Sequence, residues 1–130
     1  MIVDTSAIVA IVRAEPDAKR YGDAIEAAES CRLSAATFVE AAVVLNGSRD
    51  PVTNGRFDRL LKVGRFVIEP VSLEQARIAR AAYRDFGKGS GHPARLNFGD
   101  CFAYALARAT GEPLLYKGDD FDRTDVAAAR

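Results

Sequence analysis

The chain has 130 residues, of which 48% are hydrophobic and 28% are charged. This composition excludes a disordered protein and suits one globular domain with a core of its own. Eighteen basic residues balance eighteen acidic ones, so a polyanion would have to bind to a local cluster of Lys and Arg. Cys31 and Cys101 lack metal-ligand spacing, and we expect buried thiols in a reducing compartment. No apolar run is long enough to cross a membrane and no signal-peptide pattern is present, so we expect a cytoplasmic protein.

The pattern of apolar residues predicts short strands that alternate with helices. Strands are predicted at residues 1–4, 32–34, 66–68 and 114–116, with a last short edge strand at 124–126. Helices are predicted at residues 5–13, 16–30, 35–46, 52–63, 72–86 and 98–110. Strands that are separated by helices pair in parallel through right-handed crossovers. We therefore predict a single α/β domain over residues 1–130, with three layers and a short, mainly parallel central sheet.

One glycine-rich segment, residues 87–93, lies outside these elements. It has neither the pattern of a phosphate-binding loop nor a position between a strand and a helix, so we expect a surface loop. His92, the only histidine of the chain, lies in this segment. We predict no catalytic role for it.

Two aspartates lie next to the beginning of a predicted helix. Asp4 follows the first strand and precedes a helix, and Asp100 falls in the first turn of the helix over residues 98–110. Both suit a local role, because Asp caps helix N-termini and an acid three residues after Asn97 completes a capping box. In an open α/β sheet, however, the carboxyl ends of the strands are also where ligands bind.

Further acidic residues belong to the same edge of the predicted sheet. Glu40 lies in an apolar helix, so its carboxylate either points to solvent or is compensated by a cation. Asp119 and Asp120 follow the last predicted strand, where a turn is the alternative explanation. Carboxylates that meet at one edge repel one another, and a hard divalent cation such as Mg²⁺ or Mn²⁺ compensates them. The chain has no Cys and His set that would suit zinc.

Four segments, in this order, resemble the PIN-domain ribonucleases and specifically the VapC toxins of bacterial toxin–antitoxin pairs. They are Met-Ile-Val-Asp-Thr-Ser-Ala-Ile at 1–8, the Ala-rich helix around Glu40, Asn-Phe-Gly-Asp-Cys-Phe-Ala-Tyr-Ala at 97–105, and Leu-Leu-Tyr-Lys-Gly-Asp-Asp-Phe at 114–121 followed by Thr-Asp-Val at 124–126. The resemblance spans the whole chain and implies a three-layer α/β/α PIN-like fold. In many relatives the fourth acid falls at the position of Gly118, so Asp119 and Asp120 are both candidates here.

The resemblance also implies an activity and partners. It implies a Mg²⁺- or Mn²⁺-dependent endoribonuclease, the toxin of a VapBC-type pair, in which a metal-activated water hydrolyses structured RNA such as tRNA or rRNA. Asp4 and Asp100 would bind the metal, and Glu40 with Asp119 or Asp120 would complete the acidic site. A homodimer and a VapB-type antitoxin are the expected partners. Basic residues beside these segments would hold the RNA, namely Arg13, Lys88, Arg95, Lys117 and Arg123.

Two other functions share parts of this pattern. A haloacid-dehalogenase-like phosphatase would use Asp4 as its nucleophile, but such enzymes have a second Asp two residues later, where this chain has Ser6. A catalytically inactive module that binds RNA or protein is the second alternative, although all four acidic positions are filled. In the nuclease, Thr5 or Ser6 would support Asp4 or a bound water through a hydrogen bond.

Overall fold

A computed structural model describes residues 1–129 and contains, within them, four strands, six α-helices and one short 3₁₀ helix. The strands are β1 (Ile2–Val3), β2 (Arg32–Ser34), β3 (Val67–Glu69) and β4 (Leu114–Leu115). The helices are α1 (Thr5–Val12), α2 (Ala18–Ala27), α3 (Ala35–Asn46), α4 (Pro51–Val63), α5 (Leu73–Phe86) and α6 (Phe98–Thr110), and the 3₁₀ helix is Phe121–Arg123. Within this described part, no helix is both long enough and apolar enough to cross a membrane.

The four strands form one parallel sheet in the order β3-β2-β1-β4. Ile2 pairs with Arg32 on one side and with Leu114 on the other. The first strand of the chain is therefore an inner strand, and its carboxyl end lies beside the carboxyl ends of β2 and β4. This arrangement confirms the predicted parallel sheet with helical crossovers.

Alternate residues of β1 and β4 face two separate hydrophobic clusters, as the period of a strand requires. Ile2 and Leu114 pack with side chains of α5 and α6. Val3 and Leu115 pack on the opposite face with side chains of α1, α2, α3 and α4. All four strand residues are buried. Helices thus cover both faces of the sheet, which confirms the predicted three-layer α/β/α fold.

Helix α6 begins and ends with the residues that the sequence indicates. The Asn97 side chain accepts a hydrogen bond from the Asp100 amide, and the Asp100 carboxylate accepts one from the Asn97 amide, each at 2.9 Å. Gly111 follows the helix with φ +71°, a left-handed conformation that glycine adopts without steric cost. The capping box fixes the backbone of the first turn, and with it the position of Asp100.

The structure corrects two predicted elements. Helix α2 is shorter than predicted at both ends, since it begins at Ala18 rather than at residue 16 and ends at Ala27 rather than at residue 30. The Asp17 carboxylate makes no cap hydrogen bond and pairs with Lys117 instead. The edge strand that we predict at residues 124–126 is wrong, since Tyr104 donates a 2.5 Å hydrogen bond to Asp125 and holds this stretch against α6. The backbone reaches the sheet only afterwards, where Leu114 bridges to Ala128.

The cysteines and the histidine have structural positions. Cys31 and Cys101 are buried free thiols, as predicted, and burial raises the pKa of Cys101 to about 11. His92 is half-buried rather than fully at the surface. Its ring packs edge-on against Phe86 with centroids 4.9 Å apart, and its Nδ1 accepts a hydrogen bond from the Ala94 amide. These contacts hold the glycine-rich loop against the end of α5.

Candidate active site

Asp4 connects β1 to α1 at the edge of the sheet. Its amide donates to the carbonyl of Leu115 at 2.9 Å, which fixes the residue beside β4. Its Oδ2 caps α1 by accepting hydrogen bonds from the amide of Ser6 at 3.0 Å and from the Ser6 hydroxyl at 2.7 Å. The residue is only 2% exposed, and its Oδ1 is buried without a hydrogen-bond partner. The cap therefore uses one carboxylate oxygen and leaves the other one available.

The Ser6 hydroxyl joins the end of β1 to the segment that follows β4. It donates to Asp4 and accepts a 2.9 Å hydrogen bond from the amide of Lys117. Of the two hydroxyl residues predicted to support Asp4, Ser6 makes the contact. Thr5 instead donates a 2.5 Å hydrogen bond to Oε1 of Glu40.

Glu40 lies against the first turn of α6. A Cβ atom on Gly99 would clash with the carboxylate of Glu40, so a larger residue at this position would displace that carboxylate from the first turn of α6. The glutamate neither points freely to solvent nor lies alone in an apolar face, because Thr5 binds it and α6 contacts it. The sequence pattern alone indicates no role for Gly99. Its signal was a glycine in the first turn of an otherwise favourable helix, where glycine is a poor former.

Asp100 lies in the first turn of α6, is 8% exposed, and accepts the Asn97 amide through Oδ2. Its pKa is raised to about 7, first by burial and then by the negative charges of Asp4, Asp120 and Glu40. The hydrogen bond from the Asn97 backbone acts in the opposite direction. Asp100 therefore lies within electrostatic reach of three other carboxylates.

The pKa of Asp4 is also raised, to about 6, chiefly by burial and further by the charge of Glu40. The hydrogen bonds from Ser6 oppose this shift. The structure thus brings together Asp4, Glu40 and Asp100, as we predicted. Of the two C-terminal candidates, Asp120 is among the charges that raise the pKa of Asp100. Both Asp119 and Asp120 are exposed, and the Asp119 carbonyl accepts the Asp122 amide in the turn after β4.

Two of the five predicted RNA-binding residues form contacts with other residues of the chain. Lys117 Nζ contacts Glu15 at 2.8 Å and Asp17 at 2.9 Å, and these carboxylates raise its pKa. Arg13 follows α1 at the end opposite to the acidic site and donates to the carbonyl of Val44. The other three predicted residues are exposed: Lys88, Arg95 and Arg123.

The donor set suits a hard divalent cation. Within residues 1–129, no group of three or more His, Cys, Asp or Glu side chains is already arranged as a metal site. Mg²⁺ is commonly held by one or two carboxylates, with water and phosphate oxygens as its other ligands. A buried carboxylate oxygen without a partner, such as Oδ1 of Asp4, is unfavourable unless a cation compensates it. Asp4 with Asp100 therefore fits such an ion.

The fold and this acidic site define a PIN domain, and the PIN domain family matches residues 1–127. Ribonuclease VapC28 of Mycobacterium tuberculosis is 58% identical over 129 residues, which cover 99% of this chain and 97% of that protein. Ribonuclease VapC42 of the same species is 50% identical, with 99% and 98% covered. The chain therefore belongs to the VapC ribonucleases of the PIN-domain family.

A solved structure agrees with the fold. The crystal structure of M. tuberculosis VapC20, described as a sarcin-ricin loop cleaving toxin, superposes with a TM-score of 0.76 at 17% identity, covering 99% of this chain and 98% of that one. At this identity the likeness concerns the fold alone. Family membership confirms the resemblance that the four segments indicate, and it excludes the phosphatase alternative with Asp4 as nucleophile.

Proposed function

We propose that residues 1–130 act as a single PIN domain, a divalent-metal-dependent endoribonuclease and the toxin of a VapBC-type pair, which hydrolyses structured RNA such as tRNA or rRNA. The observation that carries this proposal is the convergence of carboxylates on Asp100, whose pKa is raised by the charges of Asp4, Asp120 and Glu40, beside a buried Oδ1 of Asp4 that has no hydrogen-bond partner. The names of relatives that are 50% and 58% identical support RNA as the substrate. Such a protein would act in the cytoplasm, where its RNA substrate is found.

Each acidic residue receives a role in this proposal. Asp4 and Asp100 would hold Mg²⁺ or Mn²⁺, which when bound lowers the pKa of a water and stabilises negative charge on phosphate oxygens. The Ser6 hydroxyl orients Asp4 by occupying Oδ2, so that Oδ1 stays free. Glu40 and Asp120 would accept hydrogen bonds from water at the site. We favour Asp120 over Asp119 because its charge raises the pKa of Asp100.

The raised pKa values connect the site to pH. Without a cation, Asp100 is about half protonated at pH 7, because its pKa is about 7. A cation favours the charged carboxylate, so its binding releases protons and tightens as the pH rises. We therefore expect activity at limiting Mg²⁺ to increase from pH 6 to pH 8.

The partners proposed for this protein are a VapB-type antitoxin and a second copy of the chain. Three large apolar side chains near the acidic residues are exposed: Val39 on α3 by 57%, Val43 by 67% and Phe98 at the start of α6 by 76%. Exposed apolar surface of this kind suits protein contacts. Sedimentation of the protein alone and with its antitoxin tests both partners, and a monomer at all concentrations would contradict the homodimer.

A cleavage assay tests the nuclease. Purified protein, freed of any partner, is incubated with tRNA and rRNA in Mn²⁺ or in EDTA, alongside Asp100→Asn and Asp58→Asn, the latter at an exposed position of α4. We expect cleavage in Mn²⁺ that leaves 5′-phosphate and 3′-hydroxyl ends, that is lost with Asp100→Asn and that Asp58→Asn retains. Intact RNA in both pools, with a folded protein, would favour the inactive binding module.

A further inference from the structure

The outer face of α5 carries a line of arginines that the proposed active site does not use. Arg77, Arg80 and Arg84 are exposed and line a shallow depression together with Ala81. Their spacing of three and four residues places them on one side of the helix, over roughly 10 Å of its axis. We call these three residues the α5 arginine stripe.

Two guanidinium groups of the stripe are available for a ligand. Arg84 is paired with Asp85 at 2.9 and 3.2 Å. Among the residues that the structure describes, Arg77 and Arg80 have neither a hydrogen bond nor an ion pair. An unpaired guanidinium presents a planar fork of donors that matches the oxygens of a phosphate.

The stripe belongs to a positively charged region of a chain without net charge. Residues 72–97 contain five of the eighteen basic residues and two of the eighteen acidic ones. Besides the stripe, the basic residues are Lys88 and Arg95, which are both exposed. This excess is the local cluster that a neutral protein needs for binding a polyanion.

The connection between α5 and α6 joins this basic region to the helix that contains Asp100. The Leu96 amide donates to the carbonyl of Phe86, and the Lys88 amide donates to the carbonyl of Leu96. The end of α5 therefore lies beside Asn97, which caps the helix of Asp100. Lys88 and Arg95 are exposed residues of the segment that joins the end of α5 to the start of α6.

We propose that the α5 arginine stripe binds the phosphate backbone of the RNA substrate away from the scissile bond, with Arg77 and Arg80 as the principal contacts. The proposal rests on the ribonuclease function above and extends it to a substrate-binding surface. The RNA would run from α5 along Lys88 and Arg95 to the acidic residues. Contacts of this kind release counterions and do not depend on base sequence.

A double substitution and a matched control test the stripe. Arg77→Gln/Arg80→Gln removes two exposed charges three residues apart, and Arg59→Gln/Lys62→Gln does the same on the exposed face of α4. For the α5 pair we expect KM to rise by about threefold to tenfold at unchanged kcat. Between about 50 and 200 mM salt, the slope of log KM against log salt should fall by up to about 1.5. The control pair should leave both quantities unchanged.

The outcomes separate this proposal from the proposed function. If the unsubstituted protein does not cleave RNA, the nuclease function fails. If it cleaves RNA and the α5 pair behaves like the α4 pair, only the stripe proposal is overturned. Arg77→Lys/Arg80→Lys should retain most of the salt dependence. A change of sedimentation in the Gln pair, without a change in the salt slope, would make the stripe a contact between copies and would also overturn the proposal.

Discussion

Replacing Asp100 with Asn should stabilise the protein at pH 8 when divalent cations are removed. The pKa of Asp100 is about 7 in the fold and 3.8 without it, so the folded state binds the proton more tightly than the unfolded state. The contribution of this group to stability is fully present below pH 3.8 and is lost as the pH rises through 7. At pH 8 the buried carboxylate is charged and is repelled by its neighbours. Asn keeps an oxygen that accepts the Asn97 amide, without the charge.

The magnitude follows from the shift. A difference of about 3 pKa units corresponds to at most about 4 kcal/mol. The gain in stability from Asp100→Asn should be smaller than this limit, because the carboxyl group is not fully enclosed and because a neutral amide is also unfavourable when buried. We expect a gain of about 2 kcal/mol. For a domain of this size, that is a rise in Tm of roughly 8 °C. Between pH 8 and pH 5 the advantage of the variant should shrink, since the wild-type carboxyl becomes protonated.

Thermal unfolding in EDTA from pH 5 to pH 8.5 measures this effect, with Asp58→Asn as the control for the loss of an exposed charge. The difference in Tm between Asp100→Asn and wild type should grow as the pH rises through 7. Mg²⁺ at pH 8 should raise the Tm of wild type and should have little effect on Asp100→Asn. Parallel Tm curves for the two proteins over the whole range would refute the raised pKa and the argument built on it.

Three further substitutions test the support of the site. Ser6→Ala removes the hydroxyl bound to Asp4, so the pKa of Asp4 should rise and the free energy of unfolding should fall by about 1 kcal/mol. In a Mg²⁺ titration, the variant should need a higher Mg²⁺ concentration for half-maximal activity. Gly99→Ala would place a Cβ against a carboxylate oxygen of Glu40, so activity should fall by about 10²-fold. The control Gly55→Ala has nothing within 4 Å of the new Cβ and should retain activity and raise Tm. Lys117→Met removes both ion pairs of that lysine, so its Tm should lie below that of wild type in low salt, and this difference in Tm should shrink in high salt. An equal difference in Tm at both salt concentrations would contradict an electrostatic role.

The sequence predicts the strands and most helices well because their signals are local. Apolar periodicity and caps such as Asn97 act within a few residues, and the elements they predict agree with the structure at nearly every position. The predicted end of α2 is three residues too late, at residue 30 rather than at Ala27. The late start of α2 and the absent edge strand accompany contacts between distant residues. Lys117 binds Asp17 across one hundred positions, and Tyr104 binds Asp125 across twenty-one. No local pattern shows such a contact, so the sequence could predict neither the start of α2 nor the absence of a strand at residues 124–126.

The features of the site also divide into those with a local sequence signal, which could be predicted, and those that depend on distant contacts. The positions of Asp4 and Asp100 at the edge of the sheet could be predicted because each stands next to the beginning of a helix, and their role at the site follows from the resemblance to the family. The orientation of Glu40 could not, because it depends on Thr5 and on the close approach of Gly99. A sequence shows that a lysine or arginine is present but not what it contacts. For this reason the sequence predicts that Lys117 binds RNA, although it pairs with two carboxylates of the protein.

The sequence leaves open whether Asp4 is a helix cap or a metal ligand, and the structure makes these roles compatible. A carboxylate has two oxygens, and at Asp4 the cap uses Oδ2 while Oδ1 is buried without a partner. Asp100 likewise accepts its backbone hydrogen bond through Oδ2. The hydrogen bonds that begin α1 and α6 thus hold both carboxylates in place, because a cap fixes the side chain as well as the helix. A cation bound between them would then meet groups that folding has already oriented, and little further ordering would oppose its binding.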